Sequence, residues 1–355
     1  PIIQGTSFAF IPVMAPFAKV GLGAVFTAAF IGGIFQMWIG RMLKPIRHMF
    51  PPLVTGIVVL MIGISLLKVG FMYAGGGGWL MNNKPEFFGN ANHLFISFTV
   101  LIVALIAHQK GKGMVSSASI LIGMVAGYIV AMALGMVNYG KIADASWFAI
   151  PMPLQYGIEF IPGAIILMLF MAVVTTIETI GDISATTMGG DNREATDKEL
   201  SGGIMADGLG TAFGSLFNAM PNTSYSQNAG LVAFTGVISR HVGTVAGVIL
   251  IFMGLFPKLG GIIAAMPESV IGGAAIIMFG LITSAGIKLV AQSEMSQRNL
   301  LILGLSLSFG LGLSMLPQFV SHIPDFGISF KLLLTTGLIP AGLLAFVLNA
   351  TLSKK

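Results

Sequence analysis

Glu178 and Asp182 stand four residues apart in Thr175-Thr176-Ile177-Glu178-Thr179-Ile180-Gly181-Asp182, a spacing that puts both carboxyls on one face of a helix. The surrounding run is apolar. An acid in such a setting is costly and normally faces a cavity, a partner or a proton path. Glu178 is therefore read as functional, and Asp182 either as functional or as a hydrogen-bonding partner for a neighbouring span. Asp207, in the small-residue stretch Met205-Ala206-Asp207-Gly208-Leu209-Gly210, is read either as part of the same chemistry or as a buried hydrogen-bond hub. Gln227 and Asn228 open a helix-like segment, where amides can cap the helix or offer a ligand both donors and acceptors. Capping alone accounts for Asn228 but leaves Gln227 to be explained. No other reactive constellation competes with these residues. The chain has no Cys, its five His lack metal-ligand spacing, and its glycine run Gly75–Gly78 lacks the Lys-Ser/Thr of a phosphate loop. No metal or cofactor is expected.

The elements that hold these residues must be membrane helices. Charged residues make up 9% of the 355, against about 25% in soluble domains, and the mean hydropathy is +0.92. A water-soluble enzyme or nucleic-acid module is excluded on that ground, and the net charge of +5 is a matter of loop orientation rather than polyanion binding. Apolar runs near the roughly 20 residues needed to cross a bilayer fall at 21–40, 51–69, 94–109, 115–137, 162–186, 241–257, 268–289, 298–316 and 328–350. Three shorter, interrupted segments lie at 6–20, 201–218 and 222–239. Alternate threading of these twelve segments places twelve of the 18 basic residues on one side, which the positive-inside rule makes cytoplasmic.

An internal repeat locates the site. Thr6-Ser7-Phe8-Ala9-Phe10 aligns with Thr223-Ser224-Tyr225-Ser226-Gln227 at an offset of 217, and Pro51, Val54 and Gly56 align with Pro267, Val270 and Gly272 at 216. Each copy of the first element reads as a short strand leading into a half-helix. Unpaired strand edges are not tolerated in lipid, so the two strands are expected to pair with each other inside the protein. The half-helices would then direct free N–H groups at a ligand, as in transporters built from inverted repeats. A counterpart for the span of Glu178 would fall before Pro1. About two N-terminal spans of a fourteen-span, seven-plus-seven protein are thus expected to be missing.

The stretch Gln227-Asn228-Ala229-Gly230-Leu231-Val232-Ala233-Phe234-Thr235-Gly236 resembles the signature motif of the nucleobase-ascorbate transporter family, and every specified position of that motif matches. Glu178 to Asp182, Ala206-Asp207-Gly208 and Gly5-Thr6-Ser7-Phe8-Ala9-Phe10 resemble further family elements in the same order. The resemblance implies an all-α polytopic membrane protein, a seven-plus-seven inverted repeat with two short antiparallel strands and half-helices at the substrate site. It implies a core domain (1–46 and 160–258), a gate domain (47–140 and 259–355), a homodimer and an elevator-like movement. Glu178 would bind the nucleobase N–H edge and Gln227 the opposite heteroatoms. The Phe8 and Ser226 backbones would add hydrogen bonds, and Phe8 and Tyr225 ring contacts. Asp182, Asp207 and Asn228 would serve proton coupling or support the site.

Gln227 also resembles the Gln of the family's purine permeases rather than the Glu common in its uracil permeases, which implies xanthine or uric acid, carried with a proton, as the substrate and not uracil. An anion carrier of the same fold would favour a basic site, and a membrane enzyme would need a nucleophile or metal ligands that the sequence lacks. The chain is expected to be a multi-pass protein of the cytoplasmic membrane that binds no nucleic acid.

Overall fold

The computed structural model describes residues 1–42, 51–323 and 330–353. The side chains of Phe8, Pro12, Ser226, Gln227, Ala233, Phe234, Phe330, Leu332 and Leu333 lie outside that description. Among the described residues the regular structure is helical apart from two strands. β1 (Gln4–Thr6) runs through a 3₁₀ turn at Phe8–Phe10 into α1 (Ile11–Ala18), followed by α2 (Leu22–Arg41), α3 (Pro52–Ala74), α4 (Ala91–Lys110) and α5 (Ser119–Ala133). The second half contains α6 (Pro162–Asp191), α7 (Asp197–Leu216), β2 (Asn222–Ser224), α8 (Ser226–Thr235), α9 (Arg240–Gly254), α10 (Pro257–Ala264), α11 (Glu268–Ala291), α12 (Gln297–Met315) and α13 (Leu338–Thr351). Among the described residues, α2, α3, α4, α6, α11 and α12 are long and apolar enough to cross a membrane, and the bent pair α9–α10 makes a seventh. The expected span at 241–257 is in fact broken. The pair bends by 81° just before Pro257, whose missing N–H and ring end a helix. The run at 328–350 is also divided, between a helix at Phe330–Thr335 and α13, at Gly337 with φ +72°; residues 328 and 329 lie outside the described residues.

The described residues group into two compact units. One consists mainly of Leu67–Pro151 and Gly230–Leu281 and is centred on Ile96, Val100, Ala131, Val270 and Ala274. The other holds Ile2–Leu66, Met152–Ala229 and the segment from Ile282 onward, and contains both strands. In this second unit α2 packs on α6 and α7 through small residues. A Cβ on Gly33 would lie 2.6 Å from the Gly208 carbonyl oxygen and the Ala212 nitrogen, and one on Gly208 would lie 2.6 Å from the Met37 nitrogen. The two backbones thus touch, which only glycine at the crossing permits. α6 starts at Pro162, the position where a proline costs no hydrogen bond, and stops at Asn192 in the left-handed conformation. α7 starts on a capping box in which the Thr196 hydroxyl accepts from the Glu199 N–H and the Glu199 carboxylate accepts from the Thr196 N–H.

The strands pair with each other, antiparallel, with Gln4 opposite Ser224, Gly5 opposite Thr223 and Thr6 opposite Asn222. The Tyr225 N–H extends the ladder by donating to the Ile3 carbonyl at 3.0 Å. β1 is shorter at its far end than the repeat suggested. Phe8 opens the 3₁₀ turn instead of continuing the strand, because the Ser7 hydroxyl and carbonyl accept from the Ala9 and Phe10 N–H groups and turn the chain.

Candidate functional site

β2 is fixed by side chains on one of its faces. Asn222 and Ser224, two residues apart, point the same way. Asn222 Nδ2 donates to Asp207 Oδ1 at 3.0 Å while its Oδ1 accepts from the Thr211 hydroxyl at 2.7 Å, both partners on α7. Ser224 Oγ donates to Asp182 Oδ2 at 2.6 Å and lies 3.3 Å from Thr179 Oγ1, both on α6. The short strand therefore draws on side chains of two helices for the stability that three residues of ladder cannot supply alone. Thr223 takes the opposite face, toward Glu178. It is 1% exposed, and its hydroxyl closes no hydrogen bond of standard geometry among the described residues.

The three acids have different surroundings. Asp207 is 0% exposed and takes three donors: Gln36 Nε2 at 2.8 Å, Thr179 Oγ1 at 3.0 Å and Asn222 Nδ2 at 3.0 Å. That is the geometry of a hub, one of the two readings its sequence context allows. Asp182 is 7% exposed and held by Ser224. Glu178, one turn earlier on α6, is only half-buried, and both aspartates are within its electrostatic reach. An apolar cavity of about 190 Å³ lies beside this part of α6, lined by Val174 and Ile177 together with Val58 of α3 and Phe346 of α13. Among the described residues no cluster of His, Asp or Glu could hold a metal ion.

Tyr225 follows β2 directly. Its hydroxyl donates to the Thr6 carbonyl at 3.1 Å, so that the ring lies across Gly5, where a Cβ would come within 2.8 Å of the ring Cζ. The absence of a side chain at Gly5 is what admits the ring, which stays 38% exposed. α8 starts at Ser226, and the Asn228 N–H donates to the Tyr225 carbonyl at 2.9 Å. The side chains of Phe8, Ser226 and Gln227 lie outside the described residues, while their backbones stand at the starts of the 3₁₀ turn and of α8. Glu178, Asp182, Asp207, Tyr225 and Asn228 all belong to the strand-containing unit. Sequence reasoning missed Gln36, Asn222 and Thr211. Gln36 carried a usable signal: it is the one amide in the apolar α2.

The model of a permease family matches residues 1–319. The chain belongs to that family. It is a permease of the xanthine and uric acid type that its motifs resemble, a multi-pass membrane transporter and not an enzyme. This permease is 35% identical over 361 residues to the xanthine permease XanP of Escherichia coli, an alignment that covers 98% of this chain and 77% of XanP. It is 34% identical over 357 residues to the uric acid transporter UacT of Escherichia coli, covering 98% of this chain and 72% of UacT. The permease also shares its fold with the transmembrane domain of the cyanobacterial bicarbonate transporter BicA, with a TM-score of 0.59 at 15% identity over 98% of this chain and 84% of that one.

Proposed function

We propose that the permease takes up a purine nucleobase, xanthine or uric acid, across the cytoplasmic membrane in symport with a proton. The observation that carries the site reading is the inequality among the acids. Asp182 and Asp207 are buried and committed to donors from β2, α2 and α6, whereas Glu178 retains accessible surface beside the paired strands. A carboxyl in that position can accept from a planar ring's N–H groups and can exchange a proton as the ligand comes and goes. Gln227 at the start of α8 supplies an amide for the opposite edge, Tyr225 and Phe8 supply rings, and the Phe8 and Ser226 backbones supply hydrogen bonds. Asp182, Asp207 and Asn228 support the site.

In this reading the core domain, 1–46 and 160–258, moves as a body against the gate domain, 47–140 and 259–355, within a homodimer. The names of the 33–35% identical relatives, which are xanthine and uric acid permeases, support the substrate class. Uptake of labelled xanthine by cells expressing the full-length protein tests it. Uptake should be inhibited by unlabelled uric acid and not by uracil, should rise on external acidification, and should stop on addition of a protonophore. Uptake that follows sodium instead of protons would refute the coupling, and stronger inhibition by uracil would refute the substrate assignment.

A further inference from the structure

α2 contributes a polar side chain that the transport reading does not use. Gln36 is 2% exposed inside a largely apolar helix, and burying an amide there is costly unless its hydrogen bonds are made. Both hydrogens of its Nε2 are directed. One is donated to Asp207 Oδ2 at 2.8 Å, and the other points to Thr175 Oγ1 at 3.3 Å. Thr175 spends its own hydrogen on the Met171 carbonyl at 3.0 Å, which leaves its oxygen free to accept from Gln36. The glycines on either side bring the amide to this depth. The Gly33 backbone touches Gly208 and Ala212 one turn before Gln36, and a Cβ on Gly40 would meet Met205 at 2.9 Å one turn after it.

Asp207 in turn holds Asn222 through its other oxygen, and Asn222 is the β2 residue paired with Thr6 of β1. An unbroken series of hydrogen bonds therefore runs from Gln36 on α2, through Asp207 on α7, to the first residue of β2. β2 carries Thr223 toward Glu178 and leads into Tyr225 and α8.

We infer that Gln36 is a positioning residue for the transport site: by fixing the carboxylate of Asp207 it fixes Asn222, and with it the placement of β2, Tyr225 and the start of α8. The inference rests on the proposed nucleobase function of the site. Gln36 does not touch the ligand, so its loss should weaken binding of substrate and transition state alike, raising KM with little change in kcat. The interaction removed is a buried hydrogen bond to a carboxyl oxygen, for which a loss of about tenfold or more in affinity is expected.

The test uses the purified full-length protein with xanthine as the probe, together with uptake kinetics in cells. Gln36→Met should bind xanthine at least about tenfold more weakly than wild type, with KM raised in proportion and kcat largely kept. A double-mutant cycle with Asn222→Ala should be non-additive, the second substitution costing little once the first is made. Gln36→Glu adds a readout that a packing role would not move. Protonated, the new carboxyl can donate to Asp207 as the amide does; ionised, it repels Asp207. Its binding defect relative to wild type at the same pH should therefore shrink on acidification, as the pair formed by the new carboxyl and Asp207 takes up a proton, the titration of Glu178 and Asp182, the other acids facing this site, being followed in wild type alongside. Gln36→Met with wild-type affinity overturns the inference, as does additivity with Asn222→Ala. If Gln36→Met does not fold, a Gln36→Glu defect that is independent of pH overturns it. Failure of wild type to bind any purine overturns the transport reading and this inference with it, whereas wild-type binding alongside unaffected Gln36 variants overturns this inference alone.

Discussion

Replacing Gly5 by Ala separates the role of the Tyr225 ring from the stability of the strands that carry it. The added Cβ would lie 2.8 Å from Tyr225 Cζ and 3.1 Å from Cε2, and closer still to the hydroxyl. Carbon atoms in contact sit about 3.5–4.0 Å apart, so the ring must withdraw by at least about 0.7 Å. What is displaced is the far end of a side chain, 38% exposed, so the strand backbone need not move. Withdrawal breaks the bond from the Tyr225 hydroxyl to the Thr6 carbonyl, a loss of about 0.5–1.5 kcal/mol. Ala in place of Gly returns about 0.4–1 kcal/mol through the unfolded chain. The two nearly cancel, and the thermal midpoint of the purified protein should change little. Substrate binding should not be spared: a ring moved off its plane loses its face contact with a planar base, which is expected to raise KM for xanthine several-fold. Tyr225→Phe is the control, since it removes the hydroxyl and leaves the ring space intact. Uptake kinetics on both variants measure the effect. Unchanged KM in Gly5→Ala, with a normal thermal midpoint, would refute the view that Tyr225 faces the substrate.

Gly33→Val should fail where Gly5→Ala survives. Its Cβ meets backbone atoms of Gly208 and Ala212, which cannot swing aside, so the crossing of α2 and α7 must open at a cost of about 1–3 kcal/mol or more; loss of the monodisperse peak or a lowered thermal midpoint in detergent would show it. Ser224→Ala removes the hydroxyl that donates to Asp182 at 2.6 Å, a charge-assisted bond worth about 1.5–3 kcal/mol, and should lower the thermal midpoint through β2 while leaving Glu178 in place.

Much of this arrangement was legible in the sequence because lipid forbids alternatives. Backbone polar groups must be paired in the bilayer, so two short β-prone elements at one repeat offset had to find each other, and β1 and β2 do pair. Acids in apolar runs stood out for the same reason. Each strand leads into a short helix and then a longer one, α1 and α2 after β1, α8 and α9 after β2. Less legible were features set by contacts distant in sequence. Gln36 lies 171 positions from Asp207, and nothing local to α2 says which helix it will meet. Asn222 and Thr211 look like ordinary turn and helix residues until β2, which begins at Asn222, is seen to depend on the bonds between them. The divided helices at Pro257 and Gly337 were concealed by hydropathy, which registers an apolar run without its bends.

The central claim is that a half-buried carboxyl beside the strand pair holds the nucleobase. Xanthine binding to purified full-length protein carrying Glu178→Gln tests it most directly, since the amide keeps the size of the side chain and removes its charge and its capacity to take a proton. The account predicts a folded, monodisperse variant whose xanthine affinity falls by at least about tenfold, the equivalent of 1.4 kcal/mol. A folded Glu178→Gln protein that binds xanthine as wild type does would contradict it.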